Sequence, residues 1–212
     1  GKSTVTANLA VVLAKMGYKV GLLDADILGY SIPQIMGIEG VKPRMAEGGL
    51  IMPIEKDGVK VISMGNLVEK NSAFIWRGPM LGRVLEQFLY DVCWGELEYL
   101  LIDLPPGTGD VPLSLMQTVR KAEIVIVTTP QITAASVAGR LGLMAEKTGS
   151  KVIGVIENMS YFVCSNCKEK HYIFGRGEGD LLSRDLNTKL MGEIPLVTAV
   201  REQADRGMMR FL

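Results

Sequence analysis

The sequence lacks any apolar run that approaches about 18 residues and has no secretory signal at its start, so it predicts no transmembrane helix and no export. Cysteine is scarce, because 3 cysteines are too few, and an odd count, for the disulfide framework of a secreted domain. The sequence also has no excess of charge of either sign, since 23 basic residues balance 23 acidic ones. That balance argues against binding nucleic acid through a basic surface. We therefore expect a cytoplasmic chain with neither nucleic acid nor membrane as a partner.

What the sequence does have is a regular alternation of helical patterns and short apolar strands. The predicted helices are 5–16, 79–92, 133–147, 180–186 and 198–206, and the predicted strands are 18–23, 50–54, 59–64, 99–102, 123–128, 151–156 and 190–194. Strands that are apolar throughout and alternate with helices are typical of a parallel sheet covered on both faces. We therefore predict an α/β fold, a doubly wound and mostly parallel sheet flanked by helices, in one domain over 1–212.

The first four residues, Gly1, Lys2, Ser3 and Thr4, stand at the mouth of the first predicted helix. They match the tail of the phosphate-binding loop G-x-x-x-x-G-K-[ST] of P-loop NTPases. Such a helix N-terminus attracts phosphate oxygens, and Lys2 adds a cation for the β- and γ-phosphates. The Ser3 hydroxyl suits magnesium, and Thr4 is expected near the α-phosphate. Because a central strand precedes this loop in such folds, we expect an N-terminal strand and the start of the loop ahead of Gly1.

Carboxylates follow two of the predicted strands. Strand 99–102 ends at Asp103 in a Walker B pattern, which delivers a metal-binding carboxylate, and strand 18–23 ends at Asp24 and Asp26. One of the latter pair can orient or activate the attacking water while the other holds the metal shell. We predict Asp26, Asp103 and Lys2 as catalytic residues and Asp24 as an ATP-binding residue.

Cys164 and Cys167 have the C-x₂-C spacing that lets two thiolates converge on one metal, within an irregular, inserted loop at about 160–179. A thiolate zinc site or a [4Fe–4S] cluster needs about four ligands, so two chains related by a twofold axis would complete one site. Three alternatives stay open at this point: a redox pair, a zinc knuckle with His171 as third ligand, and two unligated thiols. Cys93 is predicted to lie in the core.

These motifs together resemble the Mrp-type ATP-binding iron–sulfur cluster carriers, in the P-loop group that also holds the MinD, ParA and nitrogenase iron proteins. The segments that carry the resemblance span almost the whole chain: Gly1–Thr4, Leu23–Asp26, Ile75–Pro79, Ile102–Asp110, Val155–Phe162, Cys164–Cys167 and Gly192–Leu196.

The resemblance implies a Mg²⁺-dependent ATPase of low turnover that works as a homodimer, assembles a [4Fe–4S] cluster on Cys164 and Cys167 of both subunits and transfers it to apo-proteins. Zinc is expected to be able to substitute for the cluster. The resemblance further implies that Asn158 reads the adenine edge and that Pro195 and Leu196 pack beside the base.

Two other functions share the same nucleotide site. A MinD- or ParA-like positioning ATPase would act as a nucleotide-switched scaffold on lipid or DNA, yet the charge balance and the short tail 208–212 supply no such surface. A metal-bound regulatory module with little turnover is the other possibility.

Overall fold

Helices and strands alternate along the chain in the computed structural model, which describes residues 1–26, 29–67 and 78–207. In chain order the elements are α1 (Lys2–Lys15), β1 (Val20–Asp24), α2 (Ile32–Ile35), β2 (Arg44–Met45), β3 (Ile51–Met52), β4 (Ile54–Lys56), β5 (Val59–Ser63), α3 (Gly78–Tyr90), β6 (Tyr99–Asp103), α4 (Asp110–Thr118), β7 (Glu123–Thr128), α5 (Ile132–Thr148), β8 (Lys151–Asn158), β9 (Phe162–Val163), β10 (Lys170–His171), α6 (Glu178–Asp185), β11 (Leu190–Ile194) and α7 (Thr198–Asp205). Residues 75–77 of the resemblance and the tail 208–212 lie outside the described residues. None of the described helices is long and apolar enough to cross a membrane.

The described residues form two compact units. The four-stranded unit takes its residues from Ser3–Pro106 and Val200–Leu212, and the three-stranded unit takes its residues from Gly1–Lys2 and Gly107–Ala199.

In the four-stranded unit the strand order is β4-β5-β1-β6. Strand β1 pairs in parallel with both β5 and β6, and every residue of β1 is buried, as predicted for a central strand. The predicted strand 50–54 is divided in the structure between β3 and β4. The segment that pairs antiparallel with β5 is Ile54–Lys56, because the tight turn at Asp57 and Gly58 brings these residues together.

Helix α1 forms where the sequence predicts it, but a different face is buried. The helix is predicted from an apolar stripe with a period of 3.6 residues, formed by Val5, Leu9, Val12, Leu13 and Met16. In the structure Leu9 is 37% exposed and Met16 is 66% exposed. The buried residues are Ala7, Ala10 and Val11, which join the core around strands β1 and β5. Small alanine side chains let the helix backbone approach the sheet closely, and a search for large apolar residues overlooks that face.

In the three-stranded unit the parallel order is β11-β8-β7, and strands β7 and β11 have their predicted bounds. Residues of α4, α5 and α6 pack on this sheet in one core that includes Met116, Ala145 and Leu182. Parallel strands with such helices confirm the predicted α/β class in each unit.

The segment predicted as an irregular loop at about 160–179 contains a small antiparallel hairpin, in which β9 pairs with β10. Each strand has two residues, too few for an alternating pattern to show in the sequence. The hairpin carries the cysteine pair between its strands.

Candidate functional site

Three polar side chains stand in a row at the carboxyl ends of neighbouring strands in the four-stranded unit. Asp24 of β1 pairs in register with Ser63 of β5 on one side and with Asp103 of β6 on the other. Asp24 and Ser63 are fully buried, and Asp103 is 2% exposed. The predicted carboxylates Asp24 and Asp103 are thus brought together because parallel strands end at the same edge of the sheet.

Burial raises the pKa of Asp24 from its usual value of 3.8 to about 7, and the nearby negative charge of Asp103 adds to that rise. Two hydrogen bonds act in the opposite direction. Ser63 Oγ donates to Asp24 Oδ2 at 2.9 Å, and the backbone N–H of Asp26 donates to Asp24 Oδ1 at 3.2 Å. Two buried carboxylates at this edge form a donor set that a hard divalent cation such as Mg²⁺ prefers.

Helix α1 is linked to the same edge of the sheet. Thr6 Oγ1 donates a hydrogen bond to Asp103 Oδ1 at 3.1 Å, one helical turn after the residues Ser3 and Thr4. Asp26 is half-buried and accepts a hydrogen bond from the Gly29 backbone N–H at 3.0 Å. Within the four-stranded unit, the predicted hydroxyl and carboxylate residues therefore belong to one helix start and one sheet edge.

In the three-stranded unit Asn158 ends strand β8 and lies beside the end of β11, because Ile194 pairs with it in register. Asn158 Nδ2 donates to the carbonyl oxygen of Gly1 at 3.3 Å. The Leu196 backbone N–H donates to the carbonyl oxygen of Tyr161 at 2.7 Å. Asn158, Pro195 and Leu196, which the resemblance assigns to the base, thus lie at one end of this sheet, and Gly1 is beside Asn158.

The cysteine pair sits in a compact turn between β9 and β10. The Lys168 backbone N–H donates to the Cys164 carbonyl at 3.0 Å, and the Cys164 backbone N–H donates to the Glu169 carbonyl at 3.0 Å. Lys168 completes the turn in a left-handed conformation with φ of 62°. Cys164 is half-buried and Cys167 is exposed, so the pair lies at the surface of the hairpin.

The same turn favours the thiolate form of Cys164. Backbone N–H groups of Cys167 and Asn166 donate to its sulfur, and the Cys167 side chain adds a further hydrogen bond, so the pKa of Cys164 falls below its ordinary value. A thiolate is the form that binds metal, and the arrangement is therefore prepared for a thiophilic metal or cluster.

A buried glutamate fastens both ends of the segment that carries the hairpin. Glu157, 2% exposed, accepts a hydrogen bond from Ser160 Oγ where the segment begins and from the Gly179 backbone N–H, at 2.7 Å, where it ends. A Cβ atom at Gly179 would lie 2.8 Å from Glu157 Oε2, so the helix start can approach the carboxylate only with glycine there. We call Glu157, Ser160 and Gly179 the clasp.

Replacing Glu157 by alanine is expected to lower the free energy of unfolding by about 2 kcal/mol, because two buried donors lose their acceptor. Glu157→Gln keeps one acceptor oxygen and should cost about half as much. Urea denaturation measures both effects, and hydrogen exchange of the 160–179 amides should rise in the alanine variant. Glu193→Gln, at an exposed position of β11, is the matched control. Equal stability of all three variants would contradict the clasp.

Sequence reasoning missed Glu157, Ser63 and Thr6. The acidic residue that directly follows the apolar run 152–156 in strand β8 was a usable signal for Glu157, because an acidic residue is buried only with partners. Nothing in the sequence near Thr6 or Ser63 indicates their aspartate partners.

The chain matches, over residues 1–212, the family model described as "ParA: NUBPL iron-transfer P-loop NTPase". It is 53% identical over 196 residues to the iron-sulfur cluster carrier protein of Bacillus subtilis, covering 92% of this chain and 55% of that protein. It is 45% identical over 210 residues to the protein of the same description from Methanocaldococcus jannaschii, covering 98% of this chain and 72% of that protein. The chain thus spans little more than half of the Bacillus relative.

Solved structures give the same picture. A nucleotide-binding protein from Archaeoglobus fulgidus, described as a complex with ADP and with cobalt found in it, matches with a TM-score of 0.85 and 44% identity over 98% of this chain and 81% of that chain. The septum site-determining protein MinD from Pyrococcus horikoshii matches with a TM-score of 0.69 and 22% identity over 98% of this chain and 81% of its own. The second likeness shows the fold alone. Together they confirm the predicted P-loop NTPase fold.

Proposed function

The chain belongs to the ParA family of NUBPL-type iron-transfer P-loop NTPases, and from this premise we propose that it is an ATP-hydrolysing iron–sulfur cluster carrier. It works in the cytoplasm as a homodimer. It assembles a cluster between two subunits and transfers the cluster to apo-proteins, and its nucleotide state sets how tightly the cluster is held. The chain acts as one P-loop NTPase domain, and 160–179 is its metal-binding insertion.

The nucleotide half of the proposal is supported by the start of α1 and by the buried carboxylates. Lys2 and the first helical turn favour phosphate, because the helix N-terminus carries a partial positive charge. Ser3 and Asp103 would hold Mg²⁺, and its charge would favour the ionised form of Asp24, whose pKa is raised by burial and by the charge of Asp103. The ion would supply neutralisation of the charge that develops on the phosphates, while Asp26 orients the attacking water.

On the base side, Gly1 and Thr4 complete the phosphate contacts. Asn158, Pro195 and Leu196 hold the adenine, with the Asn158 amide as the group that reads its edge. The bond from Asn158 to Gly1 supports this assignment, since it ties the base-reading residue to the residue before the phosphate-binding helix.

The observation that carries the cluster half is the exposed Cys164–Cys167 turn, in which backbone N–H groups stabilise a thiolate. One chain offers two thiolates of the four that a [4Fe–4S] cluster or a tetrahedral thiolate zinc site needs. A twofold axis at the hairpin supplies the other two. An exposed site of this kind also lets an acceptor protein reach the cluster.

Anaerobic reconstitution with iron and sulfide tests this function. The wild-type protein is expected to bind about four iron and four sulfide per dimer, with absorbance near 400 nm, about the region of thiolate-bound clusters. The Cys164→Ala, Cys167→Ala double variant should retain less than about a tenth of that iron, because no cluster ligand remains.

Cys93 provides the matched control. It is half-buried between the core residues Val92 and Trp94, so it lies less deep than the core position that the sequence predicts. Cys93→Ala removes one thiol of the same chain and should leave cluster loading unchanged. Equal iron and sulfide in the wild type and the double variant would overturn the carrier function.

A further inference from the structure

We propose that Cys164, Cys167, Glu169 and His171 form a site for one divalent ion of the zinc and ferrous class, held within a single subunit. Ligand atoms of Cys167, Glu169 and His171 all lie within 4.8 Å of one another, and all three side chains are exposed. The Cys167 side chain is also hydrogen-bonded to the sulfur of Cys164. Ligands of a tetrahedral ion with bonds of about 2.0–2.3 Å are about 3.3–3.8 Å apart, so small side-chain rotations bring Cys167, Glu169 and His171 to that spacing, and Cys164, beside Cys167, is the fourth ligand.

The hairpin explains why these side chains meet. Glu169 directly precedes β10 and His171 ends it, so the two residues flank Lys170, and alternate residues of an extended chain project to the same side. Lys170 projects to the other side, where its Nζ lies 4.1 Å from the centre of the Tyr161 ring. The ammonium group is therefore held against an aromatic face rather than among the metal ligands.

The donor set suits a borderline ion. Two thiolates, one imidazole and one carboxylate are the ligands that zinc, ferrous iron and cobalt take in tetrahedral sites. Binding requires both cysteines as thiolates, so two thiol protons leave as each ion enters. This set is complete in one chain, in contrast to the four thiolates of a shared cluster.

Both kinds of site use the same two thiolates, and they therefore exclude each other. With Glu169 and His171 engaged, one subunit holds one ion; with both displaced, two subunits share a cluster. The exclusion rests on the proposed function, whereas binding of the single ion does not.

Anaerobic cobalt titration of the reduced, nucleotide-free protein tests the single-ion site. We expect one Co²⁺ per subunit, with sulfur-to-cobalt charge-transfer absorption from two thiolates. Loss of one ligand should weaken binding at least about tenfold in His171→Ala and in Glu169→Gln. Lys170→Ala in the same hairpin and Glu193→Gln on β11 are the matched controls and should stay within about twofold of the wild type.

A second readout uses the imidazole directly. His171 is the 1 histidine of this chain, so Zn²⁺ binding should shift the ring signals of one histidine in NMR spectra. One ion per two subunits would overturn the proposal. So would binding that the double cysteine variant loses but His171→Ala and Glu169→Gln retain at wild-type affinity.

Cluster reconstitution of the same variants separates this proposal from the proposed function. His171→Ala and Glu169→Gln should load cluster to the wild-type level, while zinc added beforehand should block loading in the wild type about tenfold more strongly than in either variant. Equal blocking in all three proteins would overturn the single-ion site. A wild-type protein that binds one Co²⁺ per subunit but no cluster would overturn the carrier function alone.

Discussion

Replacing Lys2 by alanine is expected to lower the turnover of ATP hydrolysis by at least about a hundredfold, the usual cost of losing one charged group that stabilises a transition state. Lys2 is the first residue of α1, and in the proposed site the helix dipole and the ammonium group act on the same phosphates. Phosphoryl transfer depends on positioning and charge stabilisation rather than on covalent catalysis by the protein. The Lys2→Ala substitution therefore removes a main contribution to the rate of ATP hydrolysis. Phosphate release under saturating ATP and Mg²⁺ measures it.

Lys15→Ala is the control for this prediction, because Lys15 lies in the last turn of the same helix. The variant removes an equal charge from the opposite end of α1 and should hydrolyse ATP within about twofold of the wild type. Lys2→Arg should remain strongly impaired, since a planar guanidinium fork does not replace a compact ammonium group. If Lys2→Ala hydrolysed ATP at the wild-type rate, the phosphates would not bind at Lys2.

The strands could be predicted because burial on both faces leaves a continuous apolar run in the sequence. Strand β1 follows that rule, since all of its residues are buried. Strands β7 and β11 have their predicted bounds, although both keep exposed residues. Helix α1 was predicted over 5–16 and covers Lys2–Lys15, and its buried face differs from the predicted one, since the sheet packs against Ala7 and Ala10. The hairpin β9–β10 could not be predicted, because two-residue strands have no period and are held by contacts around the turn that carries Cys164 and Cys167.

The candidate site divides in the same way. Asp24 and Asp103 could be predicted to meet, because both end apolar strands and the ends of parallel strands share one edge of the sheet. The hydrogen-bond partners of these two aspartates could not be predicted. The bonds from Ser63 to Asp24 and from Thr6 to Asp103 join residues 39 and 97 positions apart, and strand register and helix placement alone bring them within reach.

The nucleotide-free wild type is expected to lose about 4 kcal/mol of unfolding free energy between about pH 4 and pH 8. Replacing Asp24 by asparagine is expected to abolish this loss. The pKa of Asp24 is raised from 3.8 to about 7 in the folded protein, chiefly by burial. The folded protein therefore keeps a proton that the unfolded chain releases. Its stabilising effect is complete below pH 3.8 and is lost as pH rises to about 7, at 1.36 kcal/mol per pH unit, or about 4 kcal/mol in all.

Urea denaturation at several pH values, with EDTA present to remove divalent ions, measures the difference between variant and wild type, in which the titration of all other groups cancels. Asp57→Asn is the matched control. Asp57 lies exposed in the turn between β4 and β5 with φ of 50°, a conformation that asparagine tolerates. The difference in unfolding free energy between Asp57→Asn and the wild type should not change with pH between about pH 4 and pH 8. If the difference in unfolding free energy between Asp24→Asn and the wild type were equally independent of pH, Asp24 would be ionised in the folded protein over this whole pH range. Its buried charge would then need a cationic partner in the folded chain itself, and Mg²⁺ would no longer be what offsets the repulsion between Asp24 and Asp103.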